Sequence, residues 1–173
     1  FQWAKKSAEA GHALGRFRLG LMYRFGTGVD PDEAKSNDFL KRAATGLPAL
    51  VKAGNATASR ALALLHYRGW GALAMDKAAA LKIFEQAAKA GDPFSISESA
   101  DQYWDGLGAR RDRDRARKLY REVLPKLMTL GEDGSVAAMF LAGNIWASER
   151  HGRRDYAESL RWHRPIAEQG FAK

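Results

Sequence analysis

The chain has 173 residues, of which 46% are apolar and 28% charged, and it contains no cysteine. This length suits one compact domain or a short repeat array, and the apolar fraction excludes a wholly disordered chain. The lack of cysteine excludes disulfide scaffolds, cysteine zinc sites and thiol catalysis, and it fits an exported and a cytoplasmic location equally. The net charge of +8 favours partners of acidic character.

A first motif predicts a helix that glycine ends. It consists of a small residue, then Leu and a small residue four positions on, an aromatic residue, and Gly-x-Gly. Spacings of three and four place these positions on one helix face, and glycine tolerates the left-handed backbone beyond a helix end. Successive copies read Gly15-Leu19-Gly20-Tyr23-Gly26-Gly28, Ala58-Leu62-Ala63-His66-Gly69-Gly71, Ser95-Ser99-Ala100-Tyr103-Gly106-Gly108 and, without the glycines, Ala137-Leu141-Ala142-Ile145-Ser148-Arg150.

A second motif follows each copy and predicts a second helix. An aspartate stands where it caps the helix or lies in its first turn, and small and bulky apolar residues follow at helical spacing. We expect the small residues Gly20, Ala63, Ala100 and Ala142 to allow close helix packing. The copies read Asp32-Ser36-Phe39-Ala43-Ala44, Asp76-Ala80-Ile83-Ala87-Ala88, Asp112-Ala116-Leu119-Val123-Leu124 and Asp155-Ser159-Trp162-Ile166-Ala167.

This pair of motifs resembles the Sel-1-like repeat, a helix-pair family related to tetratricopeptide repeats. The match is closest at residues 15–44 and 58–91 and partial at 95–131, and residues 137–170 keep the second helix but lose the Gly-x-Gly. The resemblance implies one all-α, right-handed solenoid of about four antiparallel helix pairs. We expect a partial repeat at 1–11, repeats at about 12–54, 55–91, 92–133 and 134–170, and an excerpt of a longer protein.

Two inserts and one repeat position allow further predictions. Residues 45–53 and 125–133 should lengthen a helix or add a turn, and Pro48 and Pro125 should bend it. The inserts are interpreted either as spacers or as part of a partner-binding face. The bulky position of the second motif should be core, and it is occupied by Trp3, Phe39, Ile83, Leu119 and Trp162. Trp70 is interpreted either as a loop plug or as an exposed contact.

The resemblance also implies where a partner would bind, because the first helix of each tetratricopeptide pair lines a concave groove. The corresponding positions are rich in aromatic residues and arginine, which are enriched at binding hot spots. Some of these side chains are expected to pack against a neighbouring helix instead. The groove residues are Phe17, Leu21, Arg24, Phe25, Arg60, Leu64, Tyr67, Arg68, Phe94, Asp101, Trp104, Asp105, Met139 and Trp146.

The function predicted from the sequence is non-catalytic: a scaffold or adaptor that binds a protein or peptide in the groove. The resemblance implies roles in multiprotein assembly and in bacterial signalling, secretion or envelope processes. The alternatives are a module associated with carbohydrate or an envelope polymer, and a regulatory repeat domain of an enzyme that lies outside this sequence. No metal or cofactor is expected, since no His-Glu-x-x-His or nucleotide-loop motif occurs.

The basic cluster at residues 110–126 is interpreted as a solvated helix face because acidic residues interleave it, with Asp114–Lys118 as one predicted pair. Nucleic acid is therefore not an expected partner. A spanning helix is not expected either, since the longest uncharged stretch, residues 134–148, has 15 residues against the ~20 that a bilayer requires.

Overall fold

The computed structural model describes residues 1–168 and contains nine α-helices and no strand within that range. Gly170, where the fourth predicted repeat ends, lies outside the described residues. The helices are α1 (Gln2–Glu9), α2 (Ala13–Phe25), α3 (Glu33–Lys52), α4 (Ala56–Arg68), α5 (Lys77–Lys89), α6 (Pro93–Asp105), α7 (Arg113–Glu132), α8 (Val136–Ala147) and α9 (Tyr156–Glu168).

The chain divides into two compact units, residues 1–90 with α1–α5 and residues from 91 onward with α6–α9. In unit 1, α2 packs on α3 and α4 on α5, while α1 contacts α2 and α3 contacts α4. In unit 2, α6 packs on α7 and α8 on α9, and α7 joins the two pairs. The predicted helix pair per repeat is confirmed, and the fold is of the all-α solenoid class.

The first helices end at the predicted glycines. Their C-caps have left-handed backbone, with φ of 68° at Gly26, 67° at Gly69 and 73° at Gly106. In the fourth repeat, which has no glycine here, α8 ends at Ala147, and its C-cap Ser148 has extended backbone. Ser148 Oγ donates a hydrogen bond to the carbonyl of Ile145 at 3.0 Å. A hydroxyl therefore gives a carbonyl at this helix end its hydrogen-bond partner, whereas the other repeats end the helix with glycine.

The predicted aspartates begin the second helices. Asp32, Asp76 and Asp112 are N-caps, and each carboxylate accepts a hydrogen bond from the backbone N–H three residues on, at 2.8–2.9 Å. Asp155 accepts in the same way from Glu158 N at 3.1 Å. These bonds satisfy N–H groups that a helix start leaves without intrahelical partners.

The inserts lengthen helices, which is one of the two outcomes predicted for them. Helices α3 and α7 have 20 residues each, against 13 in α5. The added residues amount to about two helical turns, so the apolar face keeps its direction along the helix. Pro48 and Pro125 lie inside these helices.

The predicted small residues stand where helices approach closely. Ala63, Ala100 and Ala142 are fully buried. At Gly20, a Cβ atom would come within 2.8 Å of the Leu40 side chain, which is itself fully buried. The close packing of α2 on α3 therefore requires glycine at this position.

The predicted core position of the second helices needs correction. Only Trp162 is buried there, while Phe39, Ile83 and Leu119 are half-buried. Trp3 is 78% exposed. In the other three repeats the buried side chain stands one residue later, and it is Leu40, Phe84 or Tyr120. Spacing alone did not separate these adjacent positions, which lie about 100° apart on a helix.

Candidate functional site

The predicted groove residues fall into three groups by burial. Phe17 and Leu21 pack against the unit 1 core. Met139 is buried in unit 2, where it and Trp162 border the space beside Gly131, and the groove prediction is wrong for it. The exposed members are Phe25, Arg68 and Asp105, and the half-buried members are Phe17, Leu21, Arg24, Arg60, Leu64, Tyr67, Phe94, Asp101, Trp104 and Trp146.

In unit 1 the ends of α2 and α4 bring aromatic and cationic side chains together around Trp70. Phe25 is 65% exposed and meets Trp70 edge to face, with ring centroids 6.1 Å apart. The guanidinium carbons of Arg24 and Arg68 lie 4.4 and 5.8 Å from the Trp70 ring centre. We call this surface the Trp70 patch, and its members are Arg24, Phe25, Tyr67, Arg68, Trp70 and Lys77.

Tyr67 extends the Trp70 patch along α4. Arg68 lies 5.4 Å and Lys77 5.6 Å from the centre of its ring. Arg24 also donates a hydrogen bond to Asn37 Oδ1 at 3.0 Å, which fixes its guanidinium beside Trp70. A cation stacked on a ring keeps donor edges that can bind a carboxylate. The sequence left the role of Trp70 open and did not point to Lys77.

Unit 2 holds a cavity of about 340 Å³ that is lined by residues of α6, α7 and α8 and by residues that follow α8. We call it the Asp101 pocket, and the residues that line it include Ser97, Asp101, Tyr120, Leu141, Asn144 and Arg150. Tyr120 donates a hydrogen bond to Asp101 Oδ1 at 2.6 Å, and Arg150 forms an ion pair with the same oxygen. Arg150 Nη1 also lies 3.2 Å from Tyr120 Oη.

Burial governs the electrostatics of this pocket. It raises the pKa of Asp101 above its usual range, and the bonds from Tyr120 and Arg150 offset only part of that effect. Burial and the neighbouring Asp101 charge together raise the pKa of the Tyr120 phenol. At neutral pH the phenol is therefore a fixed donor to Asp101.

The two predicted tryptophans of unit 2 are engaged with their own unit. The guanidinium carbons of Arg113, Arg117 and Arg150 lie 5.0, 5.7 and 5.9 Å from the centre of the Trp104 ring. Trp146 meets His151 edge to face, with centroids 4.7 Å apart. Sugar stacking needs an open aromatic face. No observation on these rings favours the carbohydrate alternative.

Two basic side chains of α7 form ion pairs within the same helix. Asp114 forms its ion pair with Arg117 at 3.3 Å rather than with the predicted Lys118, and Lys126 pairs with Glu122 at 2.9 Å. Arg121 Nε donates to the His151 carbonyl at 2.8 Å. Within residues 1–168 no cluster of three or more His, Asp or Glu side chains is arranged to bind a metal ion. None of the helices in that range combines the length and apolar character of a membrane span.

Stacked helix pairs with glycine and aspartate caps define a helical repeat protein. A family model described as the Sel1 repeat matches residues 1–12, 13–46, 56–92, 100–122 and 136–171. Since these matches cover most of the chain, the protein belongs to the Sel1 repeat family. Proteins of this family are generally non-catalytic modules for protein interaction.

Solved structures include similar chains. A Sel1 repeat protein from Oxalobacter formigenes is 26% identical with a TM-score of 0.49, and the match covers 96% of this chain and 63% of that one. A protective antigen present in uropathogenic Escherichia coli strains, which displays an SLR fold, is 25% identical with a TM-score of 0.47. That match covers 97% of this chain and 40% of the antigen, so the chain spans less than two thirds of either relative. No curated protein matches the chain.

Proposed function

We propose that this chain is a protein-interaction module that binds an acidic, aromatic-bearing segment of a partner protein at the Trp70 patch. The observation that carries the proposal is the arrangement of Arg24 and Arg68 on the Trp70 ring beside the exposed Phe25. The rings supply apolar area with few rotatable bonds, and the guanidinium groups supply paired donors for carboxylates. The net charge of +8 attracts such a segment before contact.

The chemistry of the patch accounts for both features of the proposed ligand. An aromatic side chain can pack beside Phe25, which offers an exposed ring. Acidic side chains can then reach Arg68, which is exposed, and Arg24, which is held in place by Asn37. An ion pair at an exposed position contributes about 0.2–1 kcal/mol, so most of a micromolar affinity of about 8 kcal/mol has to come from the aromatic contacts, and the guanidinium groups add selectivity for acidic segments.

A peptide-display selection tests the proposal. Random peptides are selected on the immobilised chain and on an Arg24→Glu/Arg68→Glu variant. An Arg18→Glu/Lys52→Glu variant serves as control, because it lowers the net charge equally at exposed positions of unit 1 outside the Trp70 patch. We expect peptides with acidic and aromatic residues to be enriched on the parent and the control, and to be lost on the first variant. Enrichment of no peptide, or of the same peptides on all three, would refute the proposal.

A further inference from the structure

The Asp101 pocket is built differently from the Trp70 patch. Its lining combines the buried polar side chains of Ser97 and Tyr120 with the apolar side chains of Leu141 and Ile145. Its volume of about 340 Å³ is at the lower end of the range for small-ligand sites. It therefore suits a single side chain or a small molecule rather than an extended segment.

Charge restricts the chemistry of an occupant. Asp101 and Arg150 form an ion pair inside the pocket, so they offer no uncompensated charge to a ligand. A charged group that enters the pocket loses part of its hydration and gains no uncompensated opposite charge in return. The occupant should therefore be neutral.

The hydrogen-bonding groups of the pocket restrict the chemistry of the occupant further. Among contacts within residues 1–168, the bonds to Asp101 from Tyr120 and Arg150 both reach Oδ1, and both side-chain bonds from Arg150 use Nη1. Asp101 Oδ2 is thus an acceptor, and the remaining guanidinium N–H groups of Arg150 are donors, in the same pocket. Asn144, an exposed residue that lines the pocket, adds an amide. A neutral group that carries a donor and an acceptor side by side satisfies this set.

We propose that the Asp101 pocket binds a primary carboxamide, the side chain of glutamine or asparagine on a partner protein. The carboxamide N–H₂ donates to Asp101, and its oxygen accepts from Arg150. The inference rests on the proposed function, because the carboxamide belongs to a partner protein. It does not involve the Trp70 patch.

The test uses three capped amino acids of similar size: N-acetylglutamine, N-acetylglutamate and N-acetylmethionine N′-methylamides. Each is titrated at neutral pH into the isotope-labelled chain, and NMR follows the Asn144 side-chain amide and Arg150 Nε–H. We expect the glutamine probe to shift both signals with a low-millimolar dissociation constant, as befits so small a ligand. The other two should bind at least fivefold more weakly.

Three variants locate the effect. Asn144→Leu removes the amide, and Arg150→Lys keeps the charge opposite Asp101 but removes the planar donors. Ala137→Leu, at an exposed position of the same helix α8, is the control. We expect the first two to weaken glutamine binding at least fivefold and the control to leave it unchanged, with thermal unfolding checked for each.

The two proposals fail separately. Arg24→Glu/Arg68→Glu should leave the glutamine probe unaffected, since neither residue lines the pocket. The pocket proposal is overturned by equal binding of the three probes, by no shift of Asn144 or Arg150 at any soluble concentration, or by unchanged binding to Asn144→Leu and Arg150→Lys.

Discussion

The second glycine of the Gly-x-Gly motif provides a quantitative test of how the repeats pack. Gly28 and Gly71 occupy the same motif position, and both have φ of +69°. A Cβ at Gly71 would lie 2.6 Å from the Leu40 carbonyl oxygen, whereas at Gly28 the nearest atoms are 3.8 Å away. The pair Gly71→Ala and Gly28→Ala therefore separates the backbone requirement from the packing requirement.

The expected magnitudes follow from these contacts. Left-handed backbone costs alanine about 1–2 kcal/mol, and reduced freedom of the unfolded chain returns about 0.4–1 kcal/mol. Gly28→Ala should thus lower the free energy of unfolding by about 1 kcal/mol or less. Gly71→Ala must also displace backbone of α3, and overpacking of this kind costs a further ~1–3 kcal/mol. In total, Gly71→Ala should lower the free energy of unfolding by about 2–4 kcal/mol.

Urea unfolding followed by circular dichroism measures the two variants against the parent. Native-state hydrogen exchange of the α3 amides then shows whether the loss of stability is located where Gly71 contacts Leu40. If the two substitutions cost the same to within about 0.5 kcal/mol, close approach of this loop to α3 plays no part in stability, and the packing argument fails.

Three further predictions concern single side chains. Trp162→Ala should lower the free energy of unfolding in urea by about 3–5 kcal/mol because Trp162 is buried. Trp3→Ala, at the equivalent but exposed position, should change it by no more than about 0.5 kcal/mol. Equal losses would contradict the burial assignment. Burial lowers the pKa of His151 below 6.5 in the folded chain, so the stability that neutral His151 contributes is present above pH 6.5 and is lost as the pH falls to the folded-state pKa. His151→Phe should flatten this dependence of stability on pH. An unchanged pH profile would count against the assignment. In a carboxyl NMR titration, Asp101 should titrate above 3.8 because of its burial and Asp32 below 3.8 because Lys35 donates to it; the reverse order would refute both assignments.

The fold could be predicted because its signals are local. Aspartate caps, glycine C-caps and small residues act within one helix or one turn, and they recur in register along the chain. The lengthened helices followed from residue counting between motifs. The same reasoning misplaced Trp3 and Met139, because spacing identifies a helix face but not the neighbours that cover it.

The candidate sites were predicted only in part, because their members meet through tertiary contacts. Arg24 and Arg68 were predicted, but the ring that organises them, Trp70, follows a glycine in a loop and matches no helical period. Asp101 and Arg150 are 49 residues apart, and no local pattern joins them. The loss of glycines in the fourth repeat was the available signal, since Arg150 stands where the second glycine would be.

The most direct test of the central claim is a calorimetric titration of one selected acidic, aromatic peptide into the parent, Arg24→Glu/Arg68→Glu and Arg18→Glu/Lys52→Glu chains, at low and high salt. If the Trp70 patch is the binding surface, the first variant should lose at least tenfold in affinity while the second stays within about threefold of the parent, and higher salt should weaken binding to the parent. Equal loss in both variants would mean that net charge alone attracts the peptide. Unchanged affinity in the first variant would mean that the Trp70 patch is not where a partner binds.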